Sequence, residues 1–146
     1  MPWGLRATHY LGVYELQLAP DIVERIRERD GRYHERAYLF VLAAVEYCQR
    51  RRKVRGHISG ADLSLACRDL AIQQFGLTAR TVLTHWGVGA TSDIGNIVFV
   101  LIDVGLLIRN PTDRIEDFDA VYDFARAFEG EYPWGGMARA DSGGVP

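Results

Sequence analysis

A chain of 146 residues, 48% hydrophobic and 25% charged, has the composition of a globular protein and is far from the disordered and membrane classes. At this length most of the unfolded surface can be buried in one core, so a single domain is expected. The net charge of −2 excludes a uniformly basic nucleic-acid binder but conceals a strong asymmetry.

Arg50, Arg51, Arg52, Lys53 and Arg55 place five positive charges within six positions, with His57 just beyond. Between Asp113 and Glu131, seven acids face only Arg114 and Arg126, a local balance of −5. No stretch approaches the ~18 apolar residues of a membrane span. The first residues also lack the basic-then-apolar order of a secretory signal. Cys48 and Cys67 sit in apolar patterns without a Cys-x-x-Cys pair, which suits free thiols in a reducing compartment. A cytoplasmic location without a membrane partner is expected.

Residues 1–19 alternate loosely at Leu11, Val13, Leu16 and Leu18, as an extended arm or a frayed helix would. After Pro20, Asp21 and Glu24 resemble a capping box, and Ile22 and Ile26 repeat at i, i+4, predicting a short helix stopped at Gly31. From Tyr33 to about Lys53 there is neither Gly nor Pro, and two apolar stripes run side by side. One is His34, Tyr38, Val41, Val45, Cys48; the other is Tyr33, Ala37, Phe40, Ala44, Tyr47. So wide an apolar arc must be covered on more than one side, by the rest of the domain or by a partner.

Ser59 and Asp62 open a second long helix with Leu63, Ala66, Cys67, Leu70 and Ala71 on one face and Gly76 at its end. Thr78 is expected to cap a short helix closed by Gly87. Thr91 or Ser92 should cap another, carrying Ile94, Ile97, Val98 and Leu101 and stopped at Gly105. Beyond it, Leu106–Arg109 is β-compatible, Asn110-Pro111-Thr112-Asp113 has turn chemistry, and Phe118, Ala120, Tyr122 and Phe124 alternate. A two-stranded hairpin is expected, although Phe118, Val121, Tyr122, Ala125 and Phe128 also suit a helix. Residues 132–146 are Gly-rich and without period, as in a disordered tail. The expected organisation is an arm over 1–19, one globular domain over 20–131, and the tail. The fold class is mainly α: a long central helix, then a winged-helix-like helix–turn–helix with a short β-hairpin, or alternatively an all-α bundle.

The segments His57-Ile58-Ser59-Gly60-x-Asp62-Leu63, Phe75-Gly76-x-x-Ala79, His85-Trp86-Gly87-Val88-x-x-Thr91-x-Asp93-Ile94-Gly95-x-Ile97-Val98-Phe99 and Gly105-Leu106-Leu107 resemble a bacterial family of uncharacterised small proteins. Asp117-Phe118 and Tyr122-Asp123-Phe124 extend the likeness, which runs from about Tyr33 to Phe128. Ile58, Asp62 and Ile94 stand where Val, Glu and Phe are usual in that family. The resemblance implies domain limits and no catalytic residue.

Chemistry-bearing motifs are sparse. Gly87-Val88-Gly89 before Thr91 and Ser92 lacks the preceding strand of a phosphate-binding loop and reads as cap and turn. Cys48, His57, Cys67 and His85 stand nine or more residues apart, unlike the close pairs of zinc sites. Ser59 has no Gly-x-Ser-x-Gly elbow, and His34 reads as a core histidine. No catalytic residue, metal or cofactor is expected, and an interaction module that binds protein is. Its candidate contacts are Arg50, Arg51, Arg52, Lys53 and Arg55 with Tyr33, Phe40 and Tyr47, the last three as a self-association face. Nucleic-acid backbone binding by the arginine cluster is the alternative. Sequence-specific reading of bases is disfavoured because Ser92–Val104 contains no Lys or Arg and carries Asp93 and Asp103, with Asn96 the one polar group suited to bases.

Overall fold

The computed structural model describes residues 5–10, 13–51 and 58–129. The extended alternative holds for the arm: β1 (Leu5–Tyr10) and β2 (Val13–Leu18) pair antiparallel, with Leu5 opposite Leu18 and Tyr10 opposite Val13. Leu18 enters the core. The chain is otherwise mainly helical.

Helix α1 (Pro20–Arg29) starts with proline in its first turn, where the missing N–H has no partner to lose. Asp21 therefore lies inside the first turn, and no side chain caps this helix, so the expected capping box is not formed. Ile22 and Ile26 are its buried face. Asp30 ends it and binds Arg32, whose guanidinium lies 2.7 Å from the carboxylate. That ion pair holds the Asp30 carboxyl below its usual range.

The long helix α2 (Glu35–Arg51) buries Ala37, Tyr38, Phe40, Val41 and Ala44 by packing on α3 (Gly60–Phe75) and α5 (Thr91–Asp103). His34 is a correction: it is exposed just before the helix, and its Nδ1 accepts from the Arg36 amide at 3.0 Å. Both expected apolar stripes are thus answered largely from within the chain. Helix α3 begins with the expected Ser59 cap, and Asp62 completes a capping box: Ser59 accepts from the Asp62 amide while Asp62 accepts from that of Ser59. After a 3₁₀ turn (Gly76–Thr78) comes α4 (Ala79–His85). Thr78 does not cap it by side chain; its hydroxyl donates back to the Phe75 carbonyl at 2.7 Å.

The ends of α4 and α5 share one device. At Gly87 (φ 94°) the Gly87 amide bonds the Thr84 carbonyl and the Val88 amide that of Leu83. At Gly105 (φ 89°) the Gly105 amide bonds Ile102 and the Leu106 amide bonds Leu101. Both are Schellman motifs, in which a left-handed residue satisfies the last carbonyls and drives the next apolar side chain inward. Val88 and Leu106 are accordingly buried.

The expected hairpin over 106–124 is not formed, and with it goes the wing. Leu106 is drawn into the core by the helix end, and the turn at Asn110–Asp113 closes as expected. The chain then makes a 3₁₀ turn (Ile115–Phe118), with Asp117 accepting from the Arg114 amide and Phe118 buried. Helix α6 (Phe124–Glu129) follows and buries Phe124, Ala127 and Phe128. The expected helical stripe is not formed either: Val121 and Tyr122 precede α6, Ala125 is only half-buried, and the buried face runs through Phe124, Ala127 and Phe128, which share one side of the short helix. The 3₁₀ turn sits on α3 and α5, while α6 sits on α3 and α4; Arg80 and Glu129, 2.7 Å apart, join α4 to α6. Residues 132–146 lie outside the described residues. No helix among the described residues is long and apolar enough to cross a membrane.

Candidate functional site

Where α2, α3 and α6 meet, a cleft of about 980 Å³ opens to solvent. Helix α2 supplies Tyr47 and Arg51, which share a face at i, i+4. The Arg51 guanidinium donates to the Tyr47 hydroxyl and stands 5.2 Å from its ring centroid. Helix α3 supplies Arg68, Asp69 and Ile72, with Arg68 fixed by two hydrogen bonds to one Asp69 oxygen at 2.9 and 3.0 Å.

The far wall is Tyr122, Asp123, Arg126 and Ala127. Tyr122 is latched by its hydroxyl to the Ser64 carbonyl at 2.8 Å, and burial pushes its pKa up. Asp123 accepts from the Arg126 amide at 3.1 Å and caps α6. Arginine and tyrosine side chains thus present cationic and aromatic surface from α2, α3, α6 and the segment that leads into α6. Arg50, exposed and 3.9 Å from Glu46, stands outside the lining.

The expected contact residues therefore divide. Arg51 and Tyr47 reach the cleft, while Arg52, Lys53 and Arg55 lie outside the described residues. Tyr33 and Phe40 are corrections, because both are buried in the chain's own core. The Tyr33 hydroxyl binds Asp93, and the Phe40 ring packs 6.1 Å from Phe75 and 5.7 Å from Trp86. Neither is available to a second copy as a surface. Arg68, Tyr122 and Arg126 were missed, since nothing in their spacing links positions 68 and 122.

Other motifs are absorbed by structure. Asp93 accepts from the amides of Gly89 at 2.9 Å and Ala90 at 3.1 Å, so a carboxylate occupies the helix entrance a phosphate would need. Thr91 does not cap α5; its buried hydroxyl accepts from the Val121 amide. Asn96 donates to the Tyr33 hydroxyl at 3.0 Å, which engages the group suited to bases. Cys67 is buried with its pKa pushed up, and Cys48 is half-buried; the two do not form a disulfide. Among the described residues no three His, Cys, Asp or Glu side chains gather as a metal site would require, and His57 lies outside those residues.

No protein family, curated protein or solved structure matches the chain.

Proposed function

We propose that this chain is a non-catalytic protein-binding module whose contact surface is the α2–α3–α6 cleft. The observation that carries this reading is the lining: Tyr47, Tyr122, Arg51, Arg68 and Arg126 converge around Ile72 and Ala127. Tyrosine and arginine dominate the energetic centres of protein interfaces, since each covers large area and still offers hydrogen bonds. Anchoring by Asp69 and by the Ser64 carbonyl removes part of the ordering cost of association.

Native-lysate capture with the wild-type chain and with a Tyr47→Ala, Arg51→Glu variant tests it. Arg51 is exposed and Tyr47 half-buried, so the variant should fold. The expected result is a protein held by the wild type in the presence of nuclease and lost by the variant. The second reading, phosphate-backbone binding by Arg50–Arg55, draws on the exposure of Arg50 and Arg51 at the end of α2. It predicts nucleic acid instead, released by salt. With five clustered cations, log K against log salt would fall no more steeply than roughly −4.5 on duplex DNA.

A further inference from the structure

A second surface shares no lining residue with the cleft. Ile108, in the loop after α5, is 94% exposed. It stands beside a groove of about 410 Å³ lined by Val45 of α2, Leu63 of α3, Phe99 and Ile102 of α5, and Leu107. A bulky aliphatic side chain held almost wholly in water beside an apolar groove forgoes burial that an occupant of the groove would supply. The loop that carries it is fixed on both sides, by the Schellman bonds at Leu106 and by the Asn110 amide bonded to the Asp113 carboxylate at 2.9 Å. The knob is presented in a set position.

The rim carries both signs of charge: Arg109 and Arg114, with Asp113 and Asp117. Arg109 lies over the Phe99 ring at 5.5 Å and donates to the Asp113 carbonyl. A two-fold interface uses the same patch on both copies, so each must carry a knob, a hole and balanced charge. A partner of one charge would instead meet like charge somewhere on this rim.

We infer that this face docks a second copy of the chain. Ile108 of each copy enters the groove of the other, and the arginines of one rim meet the aspartates of its counterpart. This pairing is separate from the face around Tyr33 and Phe40, which the core consumes.

Sedimentation equilibrium of the full chain over the micromolar range tests the inference, with circular dichroism as the control on folding. The expected result is a reversible dimer whose dissociation constant rises roughly thirtyfold or more in Ile108→Glu, the effect of losing an interface anchor. Because Ile108 is exposed in the single chain, that variant should melt as the separated wild-type chain does. Tyr47→Ala, in the cleft, should leave dimerisation unchanged, so failure here and failure of the cleft reading are distinguishable. A strict monomer throughout the range, or a dimer indifferent to Ile108→Glu, would overturn the proposal.

Discussion

The Tyr33 hydroxyl donates to a carboxylate oxygen of Asp93 at 2.6 Å, joining the entrance of α2 to the first turn of α5 across sixty positions of sequence. The other Asp93 oxygen holds the Gly89 and Ala90 amides, and Asn96 donates to the same tyrosine hydroxyl. One carboxylate thus caps a helix and positions a second helix against it. The arrangement is tertiary as well as local, which sets it apart from an ordinary N-cap.

Tyr33→Phe should destabilise the chain by about 1.5–3 kcal/mol, the range for a hydrogen bond to a charged group. Urea denaturation measures it. In a double-mutant cycle with Asn96→Ala the two losses should not add, since both remove bonds to one hydroxyl. Additive losses would mean that the three side chains do not act together.

Much of the helical order was legible in the sequence because its signals are local. Ser59 and Asp62 cap within one turn, and Gly87 and Gly105 end helices through bonds spanning five residues. Legibility failed where distant segments compete or combine. Phe118 and Tyr122 fit two periods, and the chain follows neither through them: Phe118 closes a 3₁₀ turn seated on α3 and α5, and Tyr122 precedes the short α6, seated on α3 and α4. Tyr33 and Phe40 read equally as core or interface until Asp93, Phe75 and Trp86 are placed beside them. The cleft draws on positions 47, 68 and 122. No spacing rule joins those.

Stability should fall on the alkaline side. Burial first, and then the bond to Asp93, push the Tyr33 phenol up to about 12; burial pushes Tyr38 and Tyr122 up as well. An unfolded phenol ionises near pH ~10. Between about pH 10 and 12 the unfolded chain therefore releases protons that the folded chain retains, and folding free energy is lost as pH rises. Below that window the contribution of Tyr33 is fully present. Denaturation midpoints through the range should decline, and Tyr33→Phe should flatten part of the slope. A phenolate absorbance titration should show these three rings ionising late, together with loss of helix.

Trp86 should behave as a core residue. It is 9% exposed, with the rings of Phe40 and Phe75 each 5.7 Å away. Trp86→Ala should destabilise by about 3–5 kcal/mol, the transfer loss together with the cavity left. The chain has three tryptophans; a protein retaining only this one should emit in the blue and resist quenching by acrylamide. Water-like emission from a folded sample would contradict its burial.

The glycines offer a test of sign. Replacing glycine by alanine inside a helix ordinarily stabilises by roughly 0.5–1 kcal/mol, and Gly60 and Gly95 both lie in helices. A Cβ on Gly95, however, would stand 2.8 Å from the Phe118 Cβ, and one on Gly60 would stand 3.0 Å from the Asp117 carbonyl oxygen. Both substitutions press on the same 3₁₀ turn, Ile115–Phe118, from two helices. Gly95→Ala should therefore destabilise, by about 1–3 kcal/mol. Shrinking the Phe118 ring should not rescue it, because the clash begins at the Phe118 Cβ. Once the turn has lifted, the second substitution meets less resistance. The double variant should lose less than the sum of the single losses, a coupling of about 0.5 kcal/mol or more. Gly87→Ala should be worse than either, because its Cβ would lie 2.7 Å from the Arg32 carbonyl oxygen at a φ of 94°. There the new Cβ meets a main-chain carbonyl, which cannot move aside as a side chain could. Thermal melts of the four variants would rank them, and a stabilised Gly95→Ala would show that the turn does not rest on α5 as described.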